Sequence, residues 1–341
     1  MDMLPGASPF PYFSRFLHEV QPAGARDWIS DLELMNHYTA MACRTLAKSE
    51  RALLTLQYDA PREGLSHPFL LKQILAFAAF HLAYLHPTYR RKYQILASQH
   101  QDAALQGIRS TLASTLTPQN CHALYASSLL LIVSAFATYP NFEVQSLSFE
   151  PLDSLIDIFV LISGMTTVLN ASRSDLAVGP LRALFGDPLS PSTTPHDLQG
   201  VVDRLSKLCS WVDQNLPDLD EEVANIIAEA ATSLADSISA VQGTDSALAA
   251  PGLRVVFLWP IRLSSRYLGL LRQREPVSMA VLAHYCVLLH FSKVNYWFLE
   301  GWGKVVIDYI SESLRGSFHE QTIRWPVDVI THPASTSGTD L

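Results

Sequence analysis

Residues 123–139 read ALYASSLLLIVSAFATY, and between Arg109 and Glu143 no residue is charged. A helix that spans a bilayer needs about 20 mainly apolar residues. This run carries Ser127, Ser128, Ser134 and Thr138 and has no flanks rich in lysine and arginine, which membrane helices use to set their orientation. A helix that is apolar on all sides is also what the centre of a large helical domain requires. The stretch therefore reads as a buried core helix, and the expected chain has no membrane span.

The segments on either side repeat the helical pattern. Asp31 to Ala47 places Leu34, Tyr38, Met41, Ala42 and Thr45 on one face, the spacing of an amphipathic helix. Ser30 or Asp31 is expected to cap its first turn, because a short oxygen side chain accepts from free N–H groups there. Residues 66–86 form the next helix, with Pro68 in its first turn, where a missing N–H costs nothing. Pro87 ends it and opens another, with Tyr89, Tyr93, Leu96, His100, Ala104 and Ile108 on a face. Pro118, Pro151 and Pro276 each precede a long apolar segment, at 118–139, 151–170 and 276–300. Further helical patterns cover 197–216, 219–242, 253–272 and 302–315. Pro260 is expected to break or kink the 253–272 pattern, since it loses a hydrogen bond and crowds the preceding turn. There is no 20–50-residue repeat and no heptad run. The expected fold class is all-α, a single large multi-helix domain over 28–330. An irregular arm at 1–27 and a flexible tail at 331–341 flank it, and the loop 187–195 is the best internal linker.

Composition narrows the function classes. The 341 residues carry 24 Lys+Arg against 32 Asp+Glu, a net charge of −8, with 16% charged and 48% hydrophobic residues. Mean hydropathy is +0.15. A disordered chain needs the opposite balance. A self-sufficient nucleic-acid binder needs clustered cations, and the densest basic run is Arg90-Arg91-Lys92. Cys43, Cys121, Cys209 and Cys286 are far apart and form no C-x-x-C pair, so no zinc finger or redox motif is expected. The N-terminus has neither a basic region nor an apolar core, so no signal peptide is expected. Buried free thiols in an intracellular protein are the expectation.

Catalytic motifs are missing: G-x-S-x-G, G-x-G-x-x-G, H-E-x-x-H and the P-loop do not occur. Cys121 and His122 are adjacent, and neighbouring residues on a helix do not face each other. His284 and His290 are six apart and off-register for a shared face. Each lone histidine, His284 included, reads as a hydrogen-bonded helix residue rather than a ligand. The acidic residues Asp218, Asp220, Glu221 and Glu222 complement a helix dipole. No enzyme activity, metal or cofactor is expected. One feature invites a binding role: Leu282, Tyr285, Leu289, Trp297 and Trp302 give the last third aromatic weight at helical spacing. Core packing is the commoner explanation of such a stripe; the alternative is one wall of an apolar ligand pocket between helices. Gly301 and Gly303 permit close backbone approach or a hinge.

Several blocks carry a resemblance. DLELMNHYTAMACRTL (31–46), SHPFLLKQILAFAAFHLAYLHP (66–87), YQILASQHQDAAL (93–105), TPQNCHALYASSLLL (117–131) and PLDSLIDIFVLISGMTTVL (151–169) come first. AVLAHYCVLLH (280–290), YWFLEGWG (296–303) and IRWPVDVI (323–330) follow in the same order. Together, from about Trp28 to Ile330, they resemble the regulatory domain of fungal zinc-binuclear-cluster transcription factors, the subgroup that includes the sterol uptake control proteins. The resemblance implies a nuclear regulator, shuttling from the cytoplasm, whose helical domain in sterol-responsive members binds a sterol-like apolar molecule. It also implies a protein partner in the transcription machinery or a DNA-binding co-regulator. The family's DNA-reading module needs six closely spaced cysteines, and the four present here cannot form it. Three readings stay open: a gene model missing its first exon, a regulator that pairs with a DNA-binding partner, or a diverged copy with another task.

This polypeptide alone is expected to bind DNA weakly, because its net charge of −8 opposes approach to phosphate. Electrophoretic mobility shifts at physiological salt check this, and nanomolar sequence-specific binding would contradict it.

Overall fold

The computed structural model describes residues 28–113, 117–139, 150–184, 196–217, 219–241 and 249–332. The arm at 1–27, the loop at 187–195 and the tail beyond His332 lie outside them. Among the described residues every regular element is helical, so the architecture is all-α. The chain clusters into two compact units. The first holds the described residues of 28–139 and 157–184, the second those of 150–156, 196–241 and 250–332.

The first unit contains α1 (Trp28–Ala40), α2 (Glu50–Leu54), α3 (Ala60–Ser66), α4 (Pro68–Leu85), α5 (Arg90–Ala113) and α6 (Cys121–Ala137). Most of α7 (Pro151–Ala171) and the short α8 (Arg173–Leu176) complete it. Its centre is α4, which packs against α1, α3, α5 and α6. α4 is long and apolar enough to cross a membrane by length and composition, yet nearly three quarters of it is buried against its neighbours. It also buries two polar side chains, Gln73 and His81. Gln73 Nε2 donates to Ser134 Oγ of α6 at 3.2 Å. The 123–139 segment behaves as expected: α6 is buried at nearly every position from Cys121 to Ala137.

Two local expectations change. Ser30 and Asp31 lie inside α1 rather than at its cap, since the helix is already formed at Trp28. Asp31 instead reaches across to α4 and α5, where its carboxylate meets Lys72 and His100, both at 3.1 Å. Residues 50–66 form helix that the apolar pattern does not announce. Ser49 caps α2 by accepting from Ala52 N–H at 3.2 Å, and a π-helical turn at Thr55–Asp59 joins it to α3. Pro61 has no N–H to give to the turn before it, and the helix widens there.

The second unit contains α9 (His196–Asn215), α10 (Glu221–Val241), α11 (Pro251–Arg262), α12 (Ser265–Arg272), α13 (Pro276–Ser292), α14 (Trp302–Leu314) and α15 (Arg324–Thr331). α13 is its axis and touches each of the other six. Its start is fixed by Pro276 and by Glu275, whose carboxylate accepts from Val277 and Ser278 N–H. The 276–300 pattern ends earlier than expected, at Ser292, and a short 3₁₀ turn follows at Trp297–Leu299. The first turn of α7 is anchored here by a two-pronged ion pair, Arg274 to Asp153, at 2.8 and 3.0 Å. Arg274 also donates to the Tyr309 hydroxyl at 2.7 Å.

The 253–272 pattern divides into two helices, but not at its proline. α11 continues two residues past Pro260, turns extended at Leu263, and α12 restarts where Ser264 accepts from Tyr267 N–H. Pro260 leaves the Val256 carbonyl without its usual donor four residues on. The fully buried Tyr285 hydroxyl of α13 donates to that carbonyl at 2.9 Å. Trp259 packs against the Tyr285 ring at 4.8 Å with the planes tilted by 36°, and meets Tyr267 edge-on at 6.0 Å. Its indole N–H donates to Ala230 O of α10 at 3.0 Å. Tyr267 in turn donates to Ser278 O of α13 at 3.0 Å. Three aromatic side chains thus join α10, α11, α12 and α13 through ring contacts, an indole N–H and two hydroxyls.

Tyr285→Phe is expected to lower stability by about 1–2 kcal/mol, the cost of leaving a buried carbonyl without a partner. In a Pro260→Ala background residue 260 regains its N–H, so the same substitution should cost less; urea unfolding of the four proteins measures this coupling.

Candidate functional site

The aromatic stripe proposed from sequence lies in the second unit. Leu282, Tyr285 and Leu289 on α13 and Trp302 at the start of α14 are all 0% exposed, and Trp297 is half-buried in the 3₁₀ turn between those helices. Tyr285 is engaged with Val256 and Trp259, and burial pushes its phenol far above the ordinary range, so it stays a neutral donor. Trp297 meets Phe298 edge-on at 6.0 Å. Gly301 adopts φ +81°, a left-handed turn that opens α14. A Cβ on Gly303 would sit 2.7 Å from the Cys286 carbonyl, so the missing side chain lets the α14 backbone press against α13.

Among the described residues, open space is found away from this stripe. A cleft of about 340 Å³ runs between α9, α13 and α15. One wall is α9, where Arg204, Lys207 and Trp211 recur three and four residues apart and so share a face. The opposite wall is the 3₁₀ turn Glu320–Ile323 and α15, which bring Gln321, Thr322, Arg324, Trp325 and Asp328. His284 of α13 is the buried polar group, 2% exposed. The imidazole stacks on Trp325 with centroids 5.7 Å apart and planes 27° from parallel. The Arg204 guanidinium lies 5.5 Å from the Trp325 ring centre, within cation–π range. Trp211 leans on Phe318 at 5.2 Å. A neighbouring cleft of about 520 Å³ is lined by Phe318, Ile323 and Val327 and shares Gln321, Arg324 and Asp328.

The ring chemistry of His284 is determined by its neighbour. Nδ1 is 2.8 Å from Ala280 O; a carbonyl only accepts, so Nδ1 carries the hydrogen and Nε2 keeps a lone pair. Burial, opposed by that hydrogen bond and reinforced by Arg204, lowers the imidazole pKa to about 4. His284 is therefore neutral at physiological pH and presents an acceptor. The cationic side chains are oriented rather than neutralised: among the described residues Arg204, Lys207 and Arg324 enter no ion pair. Sequence reading gave His284 a purely structural role and passed over Arg204, Lys207, Trp211 and Trp325. The recurrence of Arg204, Lys207 and Trp211 on one helical face was the available local signal.

Among the described residues no group of three or more His, Cys, Asp and Glu side chains is placed to hold a metal ion. A second histidine contact occurs in the first unit, where His37 Nε2 and His81 Nδ1 are 3.0 Å apart. Burial, with His37 beside it, lowers His81 to about 4.

His284 gives stability a defined pH dependence. The unfolded chain takes up this proton near pH 6.5 and the folded chain near pH 4, so the unfolded state binds more protons between them and stability falls as pH drops through that window. The expected loss is on the order of 3 kcal/mol. His284→Phe, which keeps a ring against Trp325, should reduce the slope of unfolding free energy between pH 6.5 and 4.5, read from urea titrations, and leave the share that His81 contributes.

No family model matches the chain. It is 25% identical over 307 residues to sterol uptake control protein 2 of Candida albicans, covering 84% of this chain and 41% of that protein. It is 24% identical over 332 residues to a Zn(2)-C6 fungal-type transcription factor of Gibberella zeae, covering 91% and 64%. It is 26% identical over 297 residues to sterol uptake control protein 2 of Saccharomyces cerevisiae, covering 83% and 30%. The chain thus spans less than two thirds of the length of each of these relatives. Over more than four fifths of its own length it is similar to fungal proteins named as transcription factors or sterol uptake control proteins.

Proposed function

We propose that this chain is the helical regulatory part of a fungal transcription regulator controlling a metabolic or secondary-metabolite biosynthetic gene set. The observation that carries the reading is the similarity to fungal proteins named as a transcription factor or as sterol uptake control proteins, which extends through both helical units rather than over one motif. The all-helical architecture agrees with a domain that works through contacts. The relatives' names describe regulators, and this supports a non-enzymatic role. DNA reading would come from a DNA-binding partner or from a zinc cluster beyond this sequence, and the site of action would be the nucleus, reached from the cytoplasm. A protein of the transcription machinery would be the other partner.

A second reading is a stand-alone sensor of a sterol-like apolar ligand, supported by the names of two relatives. Its pocket would have to open among Leu282, Tyr285, Leu289, Trp297 and Trp302, with Gly301 and Gly303 as the hinge, because four of those five side chains are fully enclosed.

The test is a fusion of the full chain to an unrelated DNA-binding module in a fungal host with a matching reporter. The regulator reading expects a several-fold change in reporter transcription against the module alone. A fusion that is present in the nucleus and leaves transcription unchanged overturns it. A response to sterol depletion, lost in Trp297→Ala, is the outcome expected of the sensor.

A further inference from the structure

The cleft between α9, α13 and α15 has the chemistry of a ligand site that the aromatic stripe lacks. In a chain with net charge −8 it gathers Arg204, Lys207 and Arg324 against one carboxylate, Asp328. Some exposed cations elsewhere are paired, Arg266 with Glu222, Lys304 with Asp308 and Arg315 with Glu312, whereas Arg204, Lys207 and Arg324, gathered at one cleft, enter no ion pair among the described residues. Two indoles, Trp211 and Trp325, are only half-buried beside them. His284, enclosed and stacked on Trp325, lines the cleft with Nδ1 already committed to Ala280 O.

We propose that this cleft binds a small planar aromatic monocarboxylate bearing a hydroxyl group. Each part of the ligand answers one part of the site. The Trp325 ring, stacked on His284 and in contact with Arg204, orients the guanidinium so that its N–H edge meets a carboxylate in plane. Lys207 and Arg324 add charge at the mouth. One negative charge suits a site whose cations face Asp328, and a dianion would be opposed by that carboxylate. The aromatic ring of the ligand lies against the half-buried Trp211 indole on the α9 wall. The hydroxyl supplies the donor for which Nε2 of His284 is the acceptor. The volume, about 340 Å³, falls at the small end of ligand pockets, which run about 300–1,000 Å³. This assignment does not depend on the transcriptional reading, since it concerns binding by the chain itself.

The test is isothermal titration calorimetry of the full chain with para-coumarate, alongside cinnamate, para-coumaryl alcohol, cyclohexanepropanoate and inorganic phosphate. Saturable binding of one para-coumarate per chain is expected. Removal of the carboxylate or of ring planarity should weaken binding roughly tenfold or more, the factor for losing a charge-assisted contact. Cinnamate, without the hydroxyl, should bind more weakly than para-coumarate. Lys207→Gln and Arg324→Gln, both at exposed positions, should weaken para-coumarate without moving the melting temperature. Trp325→Leu should weaken it also. Absence of saturable binding by a folded chain overturns the proposal. So does equal affinity for para-coumaryl alcohol, effective competition by phosphate, or unchanged affinity in the charge variants.

Discussion

One carbonyl group organises the second unit. Pro260 takes away the N–H that the Val256 oxygen would receive inside its own helix, and the deficit falls in a fully enclosed place. Water cannot reach to correct it, so another helix has to. Tyr285 does so, and in placing its hydroxyl it also lays its ring on Trp259. The position of α11 on α13 is thereby specified by a polar requirement as well as by apolar area. Apolar contact alone tolerates sliding; a single acceptor that must be met does not. α10 and α12 are then fastened to the same pair through the Trp259 indole and the Tyr267 hydroxyl.

The helices most legible in the sequence were the apolar ones with proline at their starts. α4, α7 and α13 begin at Pro68, Pro151 and Pro276, and α6 lies within the charge-free stretch that suggested a core helix. Their ends were harder. α13 stops at Ser292 although apolar residues continue, because those residues are taken by a 3₁₀ turn and by the left-handed Gly301. The split at Leu263–Ser264 was attributed to Pro260, whereas the helix absorbs that proline by borrowing a donor from another segment. No local pattern announces a donor 29 residues from the carbonyl it serves. Residues 50–66 carry Pro61 and Gly64 among mixed polar and apolar side chains, and their helical state is imposed by packing rather than by periodicity.

The candidate site divides in the same way. Tyr285 and Trp302 could be picked out by weight and spacing, but sequence could not say whether they face space or each other. They turn out to be enclosed by the helices around them. The cleft was invisible for a different reason. Its residues come from 204–211, from position 284 and from 321–328, segments far apart in the chain that only folding brings together. A solitary histidine gives no signal until the tryptophan that stacks on it and the arginine beside it are known. The half-buried Trp325 belongs to the 323–330 block of resemblance, yet its role depends on α9 lying next to it.

The four free cysteines also divide between the two units. Cys43 and Cys121 are buried in the first, Cys286 is buried in the second, and Cys209 is partly accessible on α9. Burial raises the pKa of each thiol, so each is a poor nucleophile while its surroundings stay closed. Alkylation of Cys286 would then time the openings of the α13 core, and that of Cys43 and Cys121 the openings around α1 and α6. Native thiols placed this way make the chain its own clock for comparing the breathing of its two halves.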